Sequence, residues 1–216
     1  MATNEISVPD AVEIWHYTPF AAFVSILQRR KLWFTRLDRL ADPTEGTSEH
    51  PYKSEFMKRS EEFTRKGFAH CWYIDDCESD VMWRAFGGSF GVAIQSTVLR
   101  LRTSFNGPEK AQVRIRAVQY GTDWSAGPPE SRAFLKRKHF AGERELRAYI
   151  EHKYTYVGSC QIEEDLPGKY VSIDPGELIE NLWASPYAPP WFEEVVNREV
   201  QEYGCAFQVE QRAASV

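Results

Sequence analysis

The feature that most limits the fold of this chain is the irregular alternation of short strand-like segments with helical ones. Segments rich in aromatic and β-branched residues predict strands, but they do not follow the regular strand–helix–strand repeat of a doubly wound sheet. We therefore predict an α+β fold with short strands in mixed or antiparallel pairing. The predicted strands lie at residues 13–18, 32–37, 68–74, 90–95, 112–120, 145–154 and 169–174.

The helical segments are marked by apolar spacing and by their end residues. Phe20, Phe23 and Leu27 recur at helical spacing after Pro19, and a proline at a helix start loses no hydrogen bond. In the last predicted helix, Pro190 stands near the start and Gly204 is the predicted stop. The predicted helices lie at residues 19–31, 52–66, 81–87, 96–105, 131–140, 175–185 and 189–204.

Length and composition fit one globular domain. The 216 residues, 43% of them hydrophobic, are enough for a proper core. We expect a single domain over 12–204, with a flexible N-terminus at 1–11 and a C-terminal tail at 205–216. No apolar leader or membrane-spanning stretch is visible. Four cysteines without a CxxC pair favour free thiols, no metal site and a cytoplasmic location.

The charge distribution limits the partners. A net charge of −5 argues against a generally basic nucleic-acid binder. One local exception is the stretch from residue 132 to residue 147, which could bind a phosphate-bearing ligand or form a solvated face. Its basic side chains are Arg132, Lys136, Arg137, Lys138, His139, Arg144 and Arg147.

Two acidic residues stand out in "FAGERELRAYI", residues 140–150. Glu143 and Glu145 are two positions apart in what reads as an entering strand, so both side chains are predicted to point to one face. A pair of carboxylates on one face can bind a ligand jointly. The alternatives are a solvated strand edge or a salt bridge between Glu145 and either Arg147 or Arg84.

Three stretches, taken in order, resemble a bacterial family of unknown function. "WHYTPFAAFVSILQRRKLWFTRLDRLADPTEG", "FAHCWYIDDCESDVMWRAFGGSFGVAIQ" and "KRKHFAGERELR" are similar to the opening, central and late motifs of the domain-of-unknown-function family 2971. The resemblance covers about residues 14–185. One departure is that Arg84 and Phe86 follow the Met-Trp pair, where family members usually have Tyr.

The layout of these motifs also resembles the ADP-ribosyltransferase superfamily. That resemblance implies a split sheet around a central cleft with flanking helices, and NAD as the substrate. It implies a catalytic Glu145 with Glu143 as its companion, and it places His16 on the first strand to hold the NAD ribose. The Ser-Thr-Ser signature of the superfamily is missing. The further residues implied at the NAD site are Tyr17, Trp33 or Phe34, Thr35, Arg36, Trp83 and Lys138.

The chemistry of this reaction accounts for a pair of acids. Cleavage of the bond between nicotinamide and ribose develops positive charge on the sugar, as in glycoside hydrolysis. A carboxylate held against the ribose would stabilise that charge, and the loss of such a group typically costs on the order of 100- to 1000-fold in rate. Under this hypothesis one of the two acids binds the ribose while the other orients the acceptor, which is a protein or a nucleic acid.

Two other functions stay open on the sequence alone. The first is a metal-dependent nuclease or hydrolase that uses Asp42, Glu45, Glu143 and Glu145 as ligands. The second is a non-enzymatic module that senses a nucleotide or binds a partner through the basic stretch. The family resemblance adds a toxin or phage-defence role, with an antitoxin or regulatory partner, as an expectation.

Overall fold

A computed structural model of the chain describes residues 8–40, 65–121, 133–151, 155–157, 160–162, 166–207 and 209–211. The chain divides into two compact units. The first comprises residues 1–7, 33–71 and 111–170, and the second comprises residues 8–32, 72–110 and 171–216. The prediction of one domain over 12–204 stays a prediction.

The described elements are short and of both kinds. The strands are β1 (Glu13–Pro19), β2 (Lys31–Arg36), β3 (Gly67–Ile74), β4 (Gly91–Thr97), β5 (Arg114–Ala117), β6 (Gln119–Gly121), β7 (Leu135–Arg137), β8 (Glu145–Glu151), β9 (Thr155–Val157), β10 (Cys160–Ile162), β11 (Gly168–Ser172), β12 (Asn181–Ala184) and β13 (Val209–Gln211). The helices are α1 (Phe20–Arg29), α2 (Asp80–Met82), α3 (Val98–Ser104), α4 (Pro175–Leu178) and α5 (Trp191–Glu202). A π-helical turn, Trp83–Gly87, follows α2, and 3-10 turns occur at Leu37–Arg39, Lys110–Gln112 and Lys138–Glu143.

In the second unit, the end of β3 (residues 72–74) is followed in the sheet by β1, β4, β12 and β13. Strand β1 pairs with β4 in antiparallel register, with His16 opposite Ile94. Strands β12 and β13 are parallel, so the sheet is mixed. An aromatic cluster lies in this unit and buries Trp15, Tyr17, Tyr73, Trp83 and Trp183.

Two glycines in the second unit fix local geometry. A Cβ on Gly91 would lie 2.1 Å from the carbonyl oxygen of Gly87, so β4 can follow the π-helical turn closely only with glycine there. Gly204 has φ of 69° and ends α5 as predicted. Its N–H donates to Gln201 O and that of Cys205 to Val200 O, at 2.9 and 3.1 Å, which is a Schellman motif.

The first unit places β8 inside its sheet. Strand β8 pairs with β3 and with β5, and all its residues except the last are buried. A strand that is buried on both faces has no simple alternation of apolar and polar residues along its sequence. This explains why the apolar residues of 145–151 are not confined to one face. Strands β6 and β7 form a parallel pair with Tyr120 opposite Lys136.

The sequence predicted most of these elements. The α+β class is confirmed, as are α1, α3, α5 and the positions of β1 to β4. The helix predicted over 131–140 is wrong: residues 135–137 form β7, because its pairing with β6 outweighs local helix propensity. The helix predicted over 175–185 ends at Leu178, and residues 181–184 pair with β4 as β12.

Three further predictions can be compared with the described residues. The helix predicted over 52–66 lies outside the described residues except for its last two. Within the described ranges, no helix combines the length and the apolar character needed to cross a bilayer. Cys71, Cys77 and Cys205 are free thiols, as the absence of a CxxC pair predicted.

Candidate active site

The two acidic residues of the Glu-x-Glu motif occupy different elements. Glu143 ends a 3-10 turn, and Arg144 then takes a left-handed conformation with φ of 37° before β8 starts at Glu145. The prediction that Glu143 and Glu145 point to one face of a single strand is therefore wrong. The left-handed residue between them interrupts the extended backbone, and strand periodicity applies only from Glu145 onward.

Glu145 is held by a buried arginine two residues further along β8. Arg147 Nε donates to Glu145 Oε1 at 2.6 Å, and its Nη2 donates to Oε2 at 2.9 Å. The remaining arm, Nη1, donates to the carbonyl oxygen of Ala133 at 2.7 Å. Residues two apart on a strand share a face. The guanidinium of Arg147 therefore binds the carboxylate of Glu145, on the same strand, through two parallel hydrogen bonds.

Lys136 connects Glu145 with Glu143. Its ammonium lies 2.5 Å from Glu143 Oε2 and 3.3 Å from Glu145 Oε2. Strand β7 brings this lysine into the site, and the ring of Phe140 lies 4.8 Å from Nζ. The two carboxylates therefore meet at one cation although they do not share a strand. We call Lys136, Glu143, Glu145 and Arg147 the charged network.

Burial and charge act in opposite directions on Glu145. Burial alone would raise the pKa of this carboxyl, but the charge and hydrogen bonds of Arg147, with Lys136 and a hydrogen bond from the Cys71 thiol, outweigh it. The net result is a lowered pKa. Glu145 is thus held as a carboxylate inside the first unit.

Tyr120 lies against the same carboxylate from another direction. Its hydroxyl oxygen accepts the backbone N–H of Glu145 at 2.8 Å. Burial raises the pKa of Tyr120 to about 12, and the negative charge of Glu145 adds to this effect. The phenol therefore stays protonated at neutral pH and is a neutral polar group beside the charged network.

Sequence reasoning missed Tyr120, Cys71 and the pairing role of Lys136. Lys136 was included only as part of a basic stretch, and Tyr120 only as the end of a strand. No local spacing joins them to Glu145, because Tyr120 and Lys136 belong to the separate β6–β7 pair whereas β8 pairs with β3 and β5. The sequence signal nearest to this network was the salt bridge between Glu145 and Arg147 or Arg84, which was considered only as an alternative to a ligand site.

Three predicted NAD-binding residues belong to β2 in the first unit. Trp33 is 38% exposed, packs edge-on against Tyr170 at 4.8 Å and covers Gly168. Thr35 is half-buried and is paired with Ala69 in the sheet. Arg36 is buried, and its guanidinium contacts Asp38 at 2.6 Å and 3.1 Å. Asp38 thus already neutralises this cation, which was predicted to lie at the NAD site.

Three further predicted residues belong to the second unit. His16 is half-buried on β1, with its ring 5.3 Å from that of Trp72. Tyr17 and Trp83 pack edge-to-face at 5.0 Å in the aromatic cluster. The Tyr17 oxygen accepts the N–H of Ser79 at 2.8 Å, and burial raises its pKa strongly. That His16 and Glu145 hold one ribose stays a prediction.

The residues of the metal hypothesis are only partly described. Asp42 and Glu45 lie outside the described residues. Glu143 and Glu145 are bridged by the ammonium of Lys136, which occupies the position between the two carboxylates that a divalent cation would need. The charged network carries two formal positive and two formal negative charges, so it gives little electrostatic reason to bind a further cation.

Comparisons with known proteins give structural neighbours only. No family model matches the chain, and no curated protein is similar to it in sequence. Structures of DarT from Thermus sp. 2.9 are similar in fold. The complex with NAD+ has a TM-score of 0.44 at 14% identity and covers 95% of this chain and 98% of DarT. The complex with ADP-ribosylated single-stranded DNA has a TM-score of 0.47 at 12% identity, covering 96% and 97%.

Proposed function

We propose that this protein is an NAD-dependent ADP-ribosyltransferase whose active site includes the charged network. The observation that carries the proposal is that the Glu-x-Glu acids meet at one lysine at the start of a buried strand. A carboxylate held in fixed geometry is what an oxocarbenium-like transition state requires. The order of sequence motifs that resembles ADP-ribosyltransferases is the second support.

The remaining NAD contacts belong to the same proposal. Trp33 is exposed enough to stack on a base or on nicotinamide. His16 is half-buried, with its ring 5.3 Å from that of Trp72, and its contact with NAD is proposed on the resemblance alone. The buried positions of Tyr17 and Trp83 give less support to their direct contact with NAD.

The acceptor and the biological role are finer parts of the proposal. We take a protein or a nucleic acid as the acceptor, with a toxin or phage-defence role and an antitoxin or regulatory partner, on the family resemblance alone. Single-stranded DNA is the first acceptor to test, because a structure of DarT contains ADP-ribosylated single-stranded DNA.

The test is incubation with NAD labelled in the adenylate part, with and without single-stranded DNA or candidate proteins. The proposal expects free nicotinamide together with label on an acceptor or in ADP-ribose. The matched control for a glutamate change in the network is Glu151→Gln, which alters an exposed carboxylate on the same strand. Nicotinamide at the level of the protein-free blank, under all acceptor conditions, would overturn the proposal.

A second candidate is a non-enzymatic nucleotide-binding module. The observation that favours it is that Arg147, Lys136 and Cys71 already contact the carboxylate of Glu145. A module of this kind would bind NAD or another nucleotide without releasing nicotinamide. Binding measured by calorimetry, in the absence of any cleavage, would therefore favour the module over the enzyme.

A further inference from the structure

We propose that Glu143 is the carboxylate that contacts the NAD ribose, and that Glu145 positions Glu143 through Lys136. This inference rests on the proposed function. It gives the sugar contact to Glu143, whereas the resemblance implies Glu145 as the catalytic acid. This assignment follows from which oxygen atoms are already occupied and from which side chain reaches solvent.

Glu145 has little capacity left for a substrate. Its two oxygens accept from Arg147 Nε and Nη2 and from Lys136 Nζ, at 2.6, 2.9 and 3.3 Å, and the Cys71 thiol adds a hydrogen bond. A carboxylate offers about four acceptor positions. The side chain is only 6% exposed. A ribose hydroxyl could therefore bind it only by displacing a cation, which would leave that cation buried and unpaired.

Glu143 has the opposite properties. Its side chain is 29% exposed, and its contact with Lys136 uses Oε2. Within the described part of the chain, Oε1 is the oxygen of the pair that is best placed to accept a hydroxyl from a ligand. The 3-10 turn that ends at Glu143 thus places a partly exposed carboxylate beside the ammonium of Lys136.

A continuous set of contacts connects the buried and the exposed acid. Arg147 fixes Glu145, Glu145 fixes the ammonium of Lys136, and Lys136 fixes Glu143. Since Lys136 is itself buried and packs on Phe140, its ammonium has few alternative positions. These contacts orient the Glu143 carboxylate although its own side chain is only partly buried. A carboxylate that is already oriented needs less reorganisation during catalysis.

The proposed step conserves atoms and charge. The bond between ribose C1′ and the nicotinamide nitrogen breaks, and its electron pair stays on that nitrogen, which becomes neutral. The positive charge passes to the sugar, where the Glu143 carboxylate stabilises it through a ribose hydroxyl. A lone pair of the acceptor, or of water, forms the new bond to C1′, and the acceptor proton is released to solvent.

The two acids are separated by comparing matched amide variants. Glu143→Gln is expected to lower kcat for nicotinamide release on the order of 100-fold, and to lower the urea midpoint by less than Glu145→Gln does, because Lys136 keeps its contact with Glu145. Glu145→Gln is expected to lower the urea midpoint, and to lower kcat per folded molecule by less than Glu143→Gln does. Equal stability with a larger kcat loss in Glu145→Gln than in Glu143→Gln would overturn the assignment.

The role of Lys136 has a readout that a purely structural residue would not move. Lys136→Met is expected to lower kcat at least about tenfold while KM for NAD stays within about twofold, because the lysine orients Glu143 rather than NAD. Lys136→Arg keeps a cation that can reach both acids and is expected to restore part of kcat. Full kcat in Lys136→Met would contradict the positioning role.

A labelling experiment tests the inference even if the protein cleaves no NAD. Carbodiimide with an amine probe modifies exposed carboxyls, and mass spectrometry locates them. We expect modification of Glu143 but not of Glu145, and protection of Glu143 by the analogue carba-NAD+, with Glu151 unprotected as the control. Protection without nicotinamide release would leave the inferred contact standing and overturn the enzyme. Labelling of Glu143 that carba-NAD+ does not change would overturn the contact.

Discussion

At the scale of single residues, the charged network stabilises the first unit only as long as each buried charge keeps its partner. The Arg147 guanidinium is 1% exposed and is neutralised by Glu145. A buried ion pair as a whole contributes little net stability, but the removal of one partner costs about 3–5 kcal/mol, since the other charge stays buried. The network therefore has a stability role that is separate from any role in catalysis.

We predict that Glu145→Gln lowers the free energy of unfolding by about 3 kcal/mol, because Arg147 and Lys136 lose the charge that neutralises them. Urea denaturation followed by tryptophan fluorescence measures this. Glu151→Gln is the matched control and should stay within about 0.5 kcal/mol of wild type, as an exposed substitution does. A Glu145→Gln variant as stable as this control would contradict the described ion pairs.

The lowered pKa of Glu145 predicts a specific dependence of stability on pH. A carboxyl whose folded pKa lies below the unfolded value of 4.5 contributes stability above that pH. The contribution is lost as pH falls through the folded pKa. As the pH is lowered below about 4.5, the urea midpoint of the wild-type protein should therefore decrease more steeply than that of Glu145→Gln. Parallel curves for the two proteins would show that Glu145 is not held as an ion.

Single residues also show what sequence spacing could and could not predict. The two-residue spacing of Glu143 and Glu145 identified a real pair but assigned it the wrong geometry. The spacing rule holds for Glu145 and Arg147, which do share a face of β8. It fails for Glu143 because the backbone of Arg144 is left-handed. The sequence does not indicate such a conformation at a residue other than glycine.

At the scale of elements, the turn before β8 decides where the network lies. Arg144 adopts φ of 37°, which costs an L-residue about 1–2 kcal/mol. We predict that Arg144→Gly is more stable than Arg144→Ala by about 1 kcal/mol. Both variants lose the arginine side chain, so the difference reports the backbone alone. Equal urea midpoints would contradict the left-handed turn.

The end of α5 gives a second prediction at this scale. Gly204 at φ of 69° closes the helix, and an alanine there is expected to lower the free energy of unfolding by about 1 kcal/mol. Gly142→Ala is the control, since a Cβ there meets nothing within 4 Å and φ is not positive. Thermal denaturation should separate the two variants. A Gly204→Ala protein that melts with this control would contradict the Schellman motif.

The elements that the sequence predicted are those with local signals. Helices α1 and α5 have apolar residues at helical spacing and residues that mark where a helix starts or stops. Strand β7 has no such signal, because it exists through its parallel pairing with β6, and its segment has a helix-forming composition. The strand β12 was missed for the same reason, since its pairing with β4 outweighs the local pattern. Long-range pairing is the part of this fold that local rules cannot predict.

At the scale of the whole molecule, residue patterns were sufficient for the α+β class but not for the composition of the site. The motifs that resemble ADP-ribosyltransferases pointed to Glu143 and Glu145. They did not point to Lys136, which holds the two together, or to Tyr120, which receives the N–H of Glu145.

The central claim is that the exposed acid of the charged network acts on NAD. The most direct measurement is the rate of nicotinamide release by wild type, Glu143→Gln and Glu151→Gln, at equal folded concentrations. We predict that the wild-type rate is well above the protein-free blank and that the Glu151→Gln rate equals the wild-type rate. The Glu143→Gln rate should be lower than the wild-type rate on the order of 100-fold. A wild-type rate at the blank, or equal rates for wild type and Glu143→Gln, would contradict the claim.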